Sequence, residues 1–214
     1  MSPEQLQGFF ESTPGQIATV LVIVLLFLGI LVSGSNKKLD TKAMVTSAIL
    51  VALAIALNQI ILFRMPQGGS ITAFSMLPIV VCAYLFGIRR GLMAGMCVGL
   101  IDLIFNPYVI HPIQMILDYP LAFGALAFAG LMRNKKHGLV SGYIVGVLCR
   151  YLCAVLSGII FFGEYAPENF NVFTWSIYYN MTYLGIEAVL TLIILMIPAV
   201  RKSIEQLKKQ SNLT

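Results

Sequence analysis

Seven stretches of this 214-residue chain read as apolar spans, and nothing else in the sequence restricts its fold so tightly. They lie at about residues 16–34, 43–63, 73–87, 91–106, 112–132, 139–163 and 172–200, the third being short and carrying Pro78. A hydrocarbon core of roughly 30 Å takes about 20 helical residues at ~1.5 Å each. In lipid the backbone must satisfy its own polar groups, so such stretches form helices. The chain is 58% hydrophobic and only 11% charged, against about a quarter charged in a soluble domain. The expectation is an all-α integral membrane protein, a six-helix body preceded by one extra N-terminal transmembrane helix.

The net charge of +5 would suit nucleic acid if it were clustered on a soluble surface, so its placement decides. With the spans above, Lys37, Lys38, Lys42, Arg89, Arg90, Arg133, Lys135, Lys136, Arg201, Lys202, Lys208 and Lys209 fall on one side of the bilayer. Arg64 alone lies on the other, and Arg150 lies within a span. Nucleic acid is excluded as a partner. The excess of basic residues on the cytoplasmic side sets the N-terminus outside and the C-terminus in the cytoplasm of a multi-pass plasma-membrane protein. The leader has Glu4 and Glu11 but no Lys or Arg, and basic residues follow the apolar stretch, which is the reverse of a cleavable signal. Three parts follow: residues 1–42, the extra helix and the polar linker "SGSNKKLD"; 43–201, the six-helix membrane domain; and 202–214, a cytoplasmic tail that starts as helix.

Cys82, Cys97, Cys149 and Cys153 all fall inside spans, where thiols act as small apolar filler. His111 and His137 flank opposite ends of one span, so no ligand set assembles and no metal or cofactor is expected. Two spans carry small residues every fourth position: Ala48, Ala52 and Ala56 in one, Gly91, Gly95 and Gly99 in another. Such a face lets a second helix approach closely, either inside the bundle or from a separate membrane protein.

Ionisable residues within spans are costly and point to a site. Asp118 falls about six residues into its helix, ~9 Å deep, and Asp102 sits near the outer end of its own. Arg150 and Glu187 lie nearer mid-bilayer, placed to neutralise each other or to bind other buried polar groups. Around Asp118 the outer half also holds Tyr119, Phe162, Tyr165, Trp175, Tyr178, Tyr179, Asn180 and Tyr183. An interfacial aromatic belt accounts for Tyr165 and for Trp175, but a carboxylate and a carboxamide at that depth need partners. Aromatic faces beside a carboxylate suit a flat cationic ligand. "RMPQGGSITAFSMLP", residues 64–78, reads as a shaped outer loop whose Gly68 and Gly69 permit backbone angles closed to other residues.

In order along the chain, "MPQGGSIT", "SMLPI", "RRGLMAG", "DYPLAFG", "SGIIFFGEYA" and "YNMTY" resemble the thiamine-specific ThiT family, the substrate-binding S components of energy-coupling factor transporters. The resemblance covers about residues 43–200 and leaves the first helix outside. It implies the six-helix S-component bundle, with a ligand pocket near the outer surface, roofed by the loop after the first body helix. It also implies that Ala48, Ala52 and Ala56 dock a transmembrane coupling subunit, with energy supplied by two partner ATPase subunits. The chain has no G-x-x-x-x-G-K-[ST] phosphate loop of its own.

The resemblance assigns substrate binding to Asp118, Tyr119, Arg150, Gly158, Phe162, Trp175 and Asn180. Tyr119 and Asn180 match the family's pocket Tyr and Asn. Asp118 stands where the family has Glu, Phe162 where a Trp stacks, Trp175 at a Tyr position and Arg150 at a basic one. Ala154 occupies the place of a pocket His. The expected function is a vitamin-importing S component without a chemical step, binding thiamine or a related heteroaromatic compound. The alternatives are the same fold holding another flat heterocycle, such as a pyrimidine precursor, a purine-like base or another vitamin, and a small intramembrane enzyme using Asp118, Asp102 or Cys149.

Overall fold

The structure, a computed structural model, describes residues 12–32 and 41–212. The leader with Glu4 and Glu11, the linker 33–40 and residues 213–214 lie outside the described residues. In chain order the elements are α1 (Thr13–Val32), α2 (Thr41–Asn58), a hairpin of β1 (Ile61–Arg64) and β2 (Ser70–Thr72), α3 (Met76–Phe86) and α4 (Ile88–Phe105). They continue with α5 (Pro112–Met132), α6 (Gly138–Phe161), α7 (Val172–Met196) and α8 (Pro198–Asn212). Among the described residues, α2, α5, α6 and α7 are long and apolar enough to cross a membrane. The expected six-helix body is α2 to α7, and the chain is a multi-pass membrane protein.

α3 is the axis of the body. Every residue from Pro78 to Leu85 is buried, and the helix packs against α2, α4, α5 and α6. Pro78 is tolerated because first-turn N–H groups have no intrahelical acceptor to lose. At 11 residues, α3 spans only about 16 Å. Gly87, at φ 90°, turns the chain straight into α4.

The two small-residue faces separate cleanly. A Cβ added at Gly91 would collide with Ala83, one at Gly95 with the Phe123 carbonyl and one at Gly99 with the Tyr119 carbonyl. The glycine face of α4 is therefore internal packing that lets α5 approach backbone to backbone. Ala48, Ala52 and Ala56 are exposed, on a helix that also exposes Met44, Val45, Ile49 and Leu53.

α5 and α7 are not regular helices. α5 widens to a π turn at Leu117–Leu121, which contains Pro120, and tightens to 3-10 geometry over Leu126–Met132. Proline has no N–H to give its turn, and a π bulge absorbs the misfit without ending the helix. α7 has its own π turn at Met181–Gly185. The apolar run expected to continue to residue 200 breaks at Ile197, whose extended backbone precedes Pro198 and so starts a new helix. α8 buries Ile204 in the main core, while Lys208 lies 4.0 Å from the Tyr84 ring centroid and donates to the Arg133 carbonyl. α1, 20 residues without a charge, packs on α4 and on the first half of α5, with Val24 against the cluster that contains Leu117 and Leu121.

The hairpin is the element that apolar periodicity did not reveal. Ile61 pairs with Thr72, Phe63 with Ile71 and Arg64 with Ser70, around a turn in which Gly68 and Gly69 have φ of 81° and 79°.

Candidate functional site

A cavity of about 470 Å³ opens at the end of the bundle opposite the basic loops. That volume suits a small heteroaromatic molecule. Its roof is the hairpin and its walls come from the C-terminal ends of α2 and α4, the N-terminal half of α5, the C-terminal half of α6 and the first half of α7. α3 contributes nothing to the lining, because the chain enters it only after the hairpin has crossed the cavity.

All seven residues singled out from the sequence, Asp118, Tyr119, Arg150, Gly158, Phe162, Trp175 and Asn180, lie on this one wall surface. Asp118 leaves the π turn of α5, and its Oδ2 accepts from Gln114 Nε2 at 2.6 Å. Gln114 is itself buried and also donates to the Tyr108 carbonyl at 3.1 Å, so the carboxylate is held by a group with no freedom of its own. The Tyr119 hydroxyl donates to the Asn106 carbonyl at 2.8 Å and accepts from the Tyr108 N–H at 2.7 Å. Asn180 gives its Nδ2 to the Ser176 carbonyl at 2.9 Å and takes the Tyr183 hydroxyl on Oδ1 at 2.8 Å, which leaves one Oδ1 lone pair. Gly158 lets α7 close on α6, since a Cβ there would overlap the Ser176 hydroxyl.

The aromatic cluster of the outer half divides in two. Tyr119, Phe162, Trp175, Tyr179 and Tyr183 line the cavity, whereas Tyr165 and Tyr178 are exposed and line none of it. Trp175, which a belt reading would place at the lipid interface, belongs to the cavity. Its indole N–H donates to Gln67 Oε1 of the roof at 3.3 Å, and its ring lies 5.7 Å from that of Tyr179. The Tyr179 hydroxyl donates to the Gly68 carbonyl at 2.9 Å and accepts from the Gln67 N–H at 2.8 Å, so the turn is pinned to α7 from below.

Arg150 and Glu187 form no ion pair with each other, although both line the cavity. Glu187, 3% exposed, accepts on Oε2 from the Thr72 N–H at 3.0 Å and the Thr72 hydroxyl at 2.8 Å, and on Oε1 from the Ser75 hydroxyl at 3.2 Å. It clamps the base of the hairpin and the start of α3 to α7. The Arg150 guanidinium instead lies 3.9 Å from the Phe123 ring centroid, with its buried Nη1 lacking a protein acceptor among the described residues. Cation–π attraction substitutes for the missing carboxylate.

Residue-type reasoning overlooked Asn58, Asn106, Tyr108 and Gln114 as lining groups. The first two stand at helix ends, where a polar residue is ordinary, and only the fold turns those ends inward. The Tyr108 ring stacks on Phe162 with centroids 6.1 Å apart. Burial pushes the Tyr108 phenol above its ordinary pKa, and Tyr165 adds to the effect, so it remains a donor at neutral pH. Formally the lining carries three carboxylates, Asp102, Asp118 and Glu187, and two guanidinium groups, Arg64 and Arg150. Acidic balance and aromatic walls together favour a flat ligand that is electron-poor or cationic. Among the described residues no group of His, Cys, Asp and Glu could hold a metal ion.

The same segment is matched in known proteins. Residues 44–207 fit the family model described as thiamine transporter protein. The thiamine transporter ThiT of Bacillus subtilis (strain 168) is 32% identical over 176 residues, covering 75% of this chain and 91% of that protein. Its counterpart in Lacticaseibacillus paracasei is 30% identical over 169 residues, covering 69% and 82%. The solved structure of ThiT from Listeria monocytogenes overlays with a TM-score of 0.60 at 26% identity, spanning 73% of this chain and 94% of that one. The segment that fits takes in the roof and every helix walling the cavity, and on that ground the chain belongs to the thiamine transporter family, whose members are membrane transport proteins rather than enzymes.

Proposed function

We propose that this protein is the S component of an energy-coupling factor importer and that its cavity takes thiamine or a close relative from outside the cell. The carrying observation is the arrangement around Asp118: a carboxylate fixed by buried Gln114, in a cavity walled by Tyr119, Phe162, Trp175 and Tyr183. Thiamine offers what such walls attract, a permanently cationic thiazolium ring and an aminopyrimidine. Asp118 balances the cation, the aromatic rings stack on it, and Asn180 meets a polar edge with its remaining lone pair. The shorter Asp118 and the small Ala154, where the resemblance implies Glu and His, favour a second reading in which the same walls hold a bulkier or differently substituted heterocycle. Mass spectrometry of ligand carried through purification separates the two.

Trp175 is the only tryptophan in the chain, so its fluorescence reports directly on the cavity. Titration of the purified protein is expected to show saturable quenching by thiamine. Asp118→Asn is expected to weaken that binding by about tenfold or more, the scale of a hydrogen bond or contact to a charged group. Unchanged affinity in Asp118→Asn sinks the role given to that residue.

Delivery inward needs partners. The exposed Ala48, Ala52 and Ala56 offer a transmembrane coupling subunit a face on which backbones approach closely. The coupling subunit and two ATPase subunits supply the energy. The N-terminus lies outside, α1 crosses the bilayer as an added helix, and α8 rests at the cytoplasmic face with Arg89, Arg133 and Arg201, as the distribution of basic residues favours.

A further inference from the structure

Asp102 gives the cavity a carboxylate that the reading above leaves unused. It stands one turn before the end of α4, on a different wall from Asp118 on α5. Asn58 Nδ2 at 2.5 Å and Asn106 Nδ2 at 2.9 Å both donate to Oδ1. The Asn106 carboxamide is in turn oriented by Arg64, whose Nη2 lies 3.4 Å from its Oδ1. Among the described residues none donates to Asp102 Oδ2. Glu187 provides the contrast within the same cavity, because its protein donors are spread over both oxygens and consume the group in holding the fold. Asp102 is clamped through one oxygen only. The other oxygen has no protein donor among the described residues, on a half-buried residue that lines the cavity.

A quaternary ring nitrogen carries no N–H and asks for charge and aromatic faces, which Asp118 and its neighbours supply. A rigid acceptor with a set direction suits a different group, an N–H donor. We propose that Asp102 is a specificity-determining residue of this site, its Oδ2 accepting a hydrogen bond from the exocyclic amino group of an aminopyrimidine ring while Asp118 balances the cationic ring. This rests on the thiamine reading of the cavity. It makes the pocket a two-point reader: two carboxylates on two helices measure a ligand with an electropositive group at each end, and a ligand that has lost its amino group leaves Asp102 unmet.

The test is Trp175 quenching in wild type, Asp102→Asn and Asp102→Glu, using thiamine and the thiamine analogue that carries a ring carbonyl in place of the amino group. Wild type is expected to prefer thiamine by about tenfold or more. Asp102→Asn is expected to lose about tenfold or more for thiamine and under about threefold for the analogue, with Asp102→Glu intermediate. Equal losses for both ligands show a role in structure or bulk charge and overturn the inference, as does an unchanged thiamine affinity. Wild type that binds thiamine without preferring it overturns the inference alone, and wild type that binds neither ligand overturns the thiamine reading along with it. Asn58→Ser, which loosens the clamp on Oδ1, supplies a second variant should Asp102→Asn fail to fold. It is expected to narrow the preference by about threefold or more, and an unchanged preference counts against the proposal.

Discussion

Glu187 shows how little a buried charge reveals about its role until its partners are known. From its depth alone it could neutralise Arg150 or serve other polar groups, and the structure gives it wholly to Thr72 and Ser75. Glu187→Gln keeps the volume but removes the charge and, with its carbonyl kept on the Thr72 N–H, turns the acceptor of the Ser75 hydroxyl into a donor. The expected cost is about 1–3 kcal/mol, read as a lower melting temperature of the detergent-solubilised protein, with faster proteolysis in the roof around Gln67. Gly99 tests a different force. Its missing Cβ leaves room for the Tyr119 carbonyl, so Gly99→Val is expected to lower the yield of folded protein, whereas Ala52→Val, on the exposed face of α2, leaves thermal stability within about 0.5 kcal/mol of wild type. The glycine and alanine spacings look alike as text. Only the neighbours distinguish an internal seam from a free face, and no spacing rule contains the neighbours.

Helices were legible from apolar length because lipid leaves the backbone no other option, and for that reason α2 to α7 fall where hydropathy puts them. Departures from regular helix were not legible. Pro120 announces a disturbance in α5 but not its form, since a kink, a break and a π turn all answer a missing N–H. The form matters, because the widened turn is what carries Asp118 and Tyr119 on consecutive positions into the cavity wall. Pro120→Ala restores the donor and lets the helix regularise. It is expected to weaken ligand binding by about threefold or more at little cost in stability, with fluorescence titration and thermal melts on the same sample separating the two effects. The hairpin escaped detection for a simpler reason. Strands of four and three residues are too short for alternation to rise above chance, and the Gly68–Gly69 pair signals a turn without saying what flanks it.

Across the whole molecule, α1 lies outside the segment that fits the family. That segment begins at residue 44, and α1 touches it on α4 and α5. A chain starting at residue 41 is expected to fold and to retain ligand binding, with at most a modest loss through the α5 segment that α1 backs. Size-exclusion profile and titration of the truncated protein check this. Orientation is open to the same direct treatment: a cysteine introduced at Gln67, in a background lacking Cys82, Cys97, Cys149 and Cys153, is expected to label from outside intact cells, and one at Lys209 is not. Asp118 and Asn180 stood out because carboxylates and amides are rare in apolar spans, while the binding roles of Tyr119, Arg150, Gly158, Phe162 and Trp175 came with the family resemblance. The division of labour among the carboxylates was not legible, since it depends on which oxygen faces a helix and which faces the cavity.

A bilayer is about twice as thick as α3 is long. α3 lines none of the cavity, whose walls come from the longer helices around it and whose ceiling is a thin two-stranded cap. The height available to a ligand is thus set by one short element, the hairpin, rather than by the helices that carry the walls. Such a design is tunable from a single place. A longer or shorter hairpin would raise or lower that ceiling while the walls stay on their own helices.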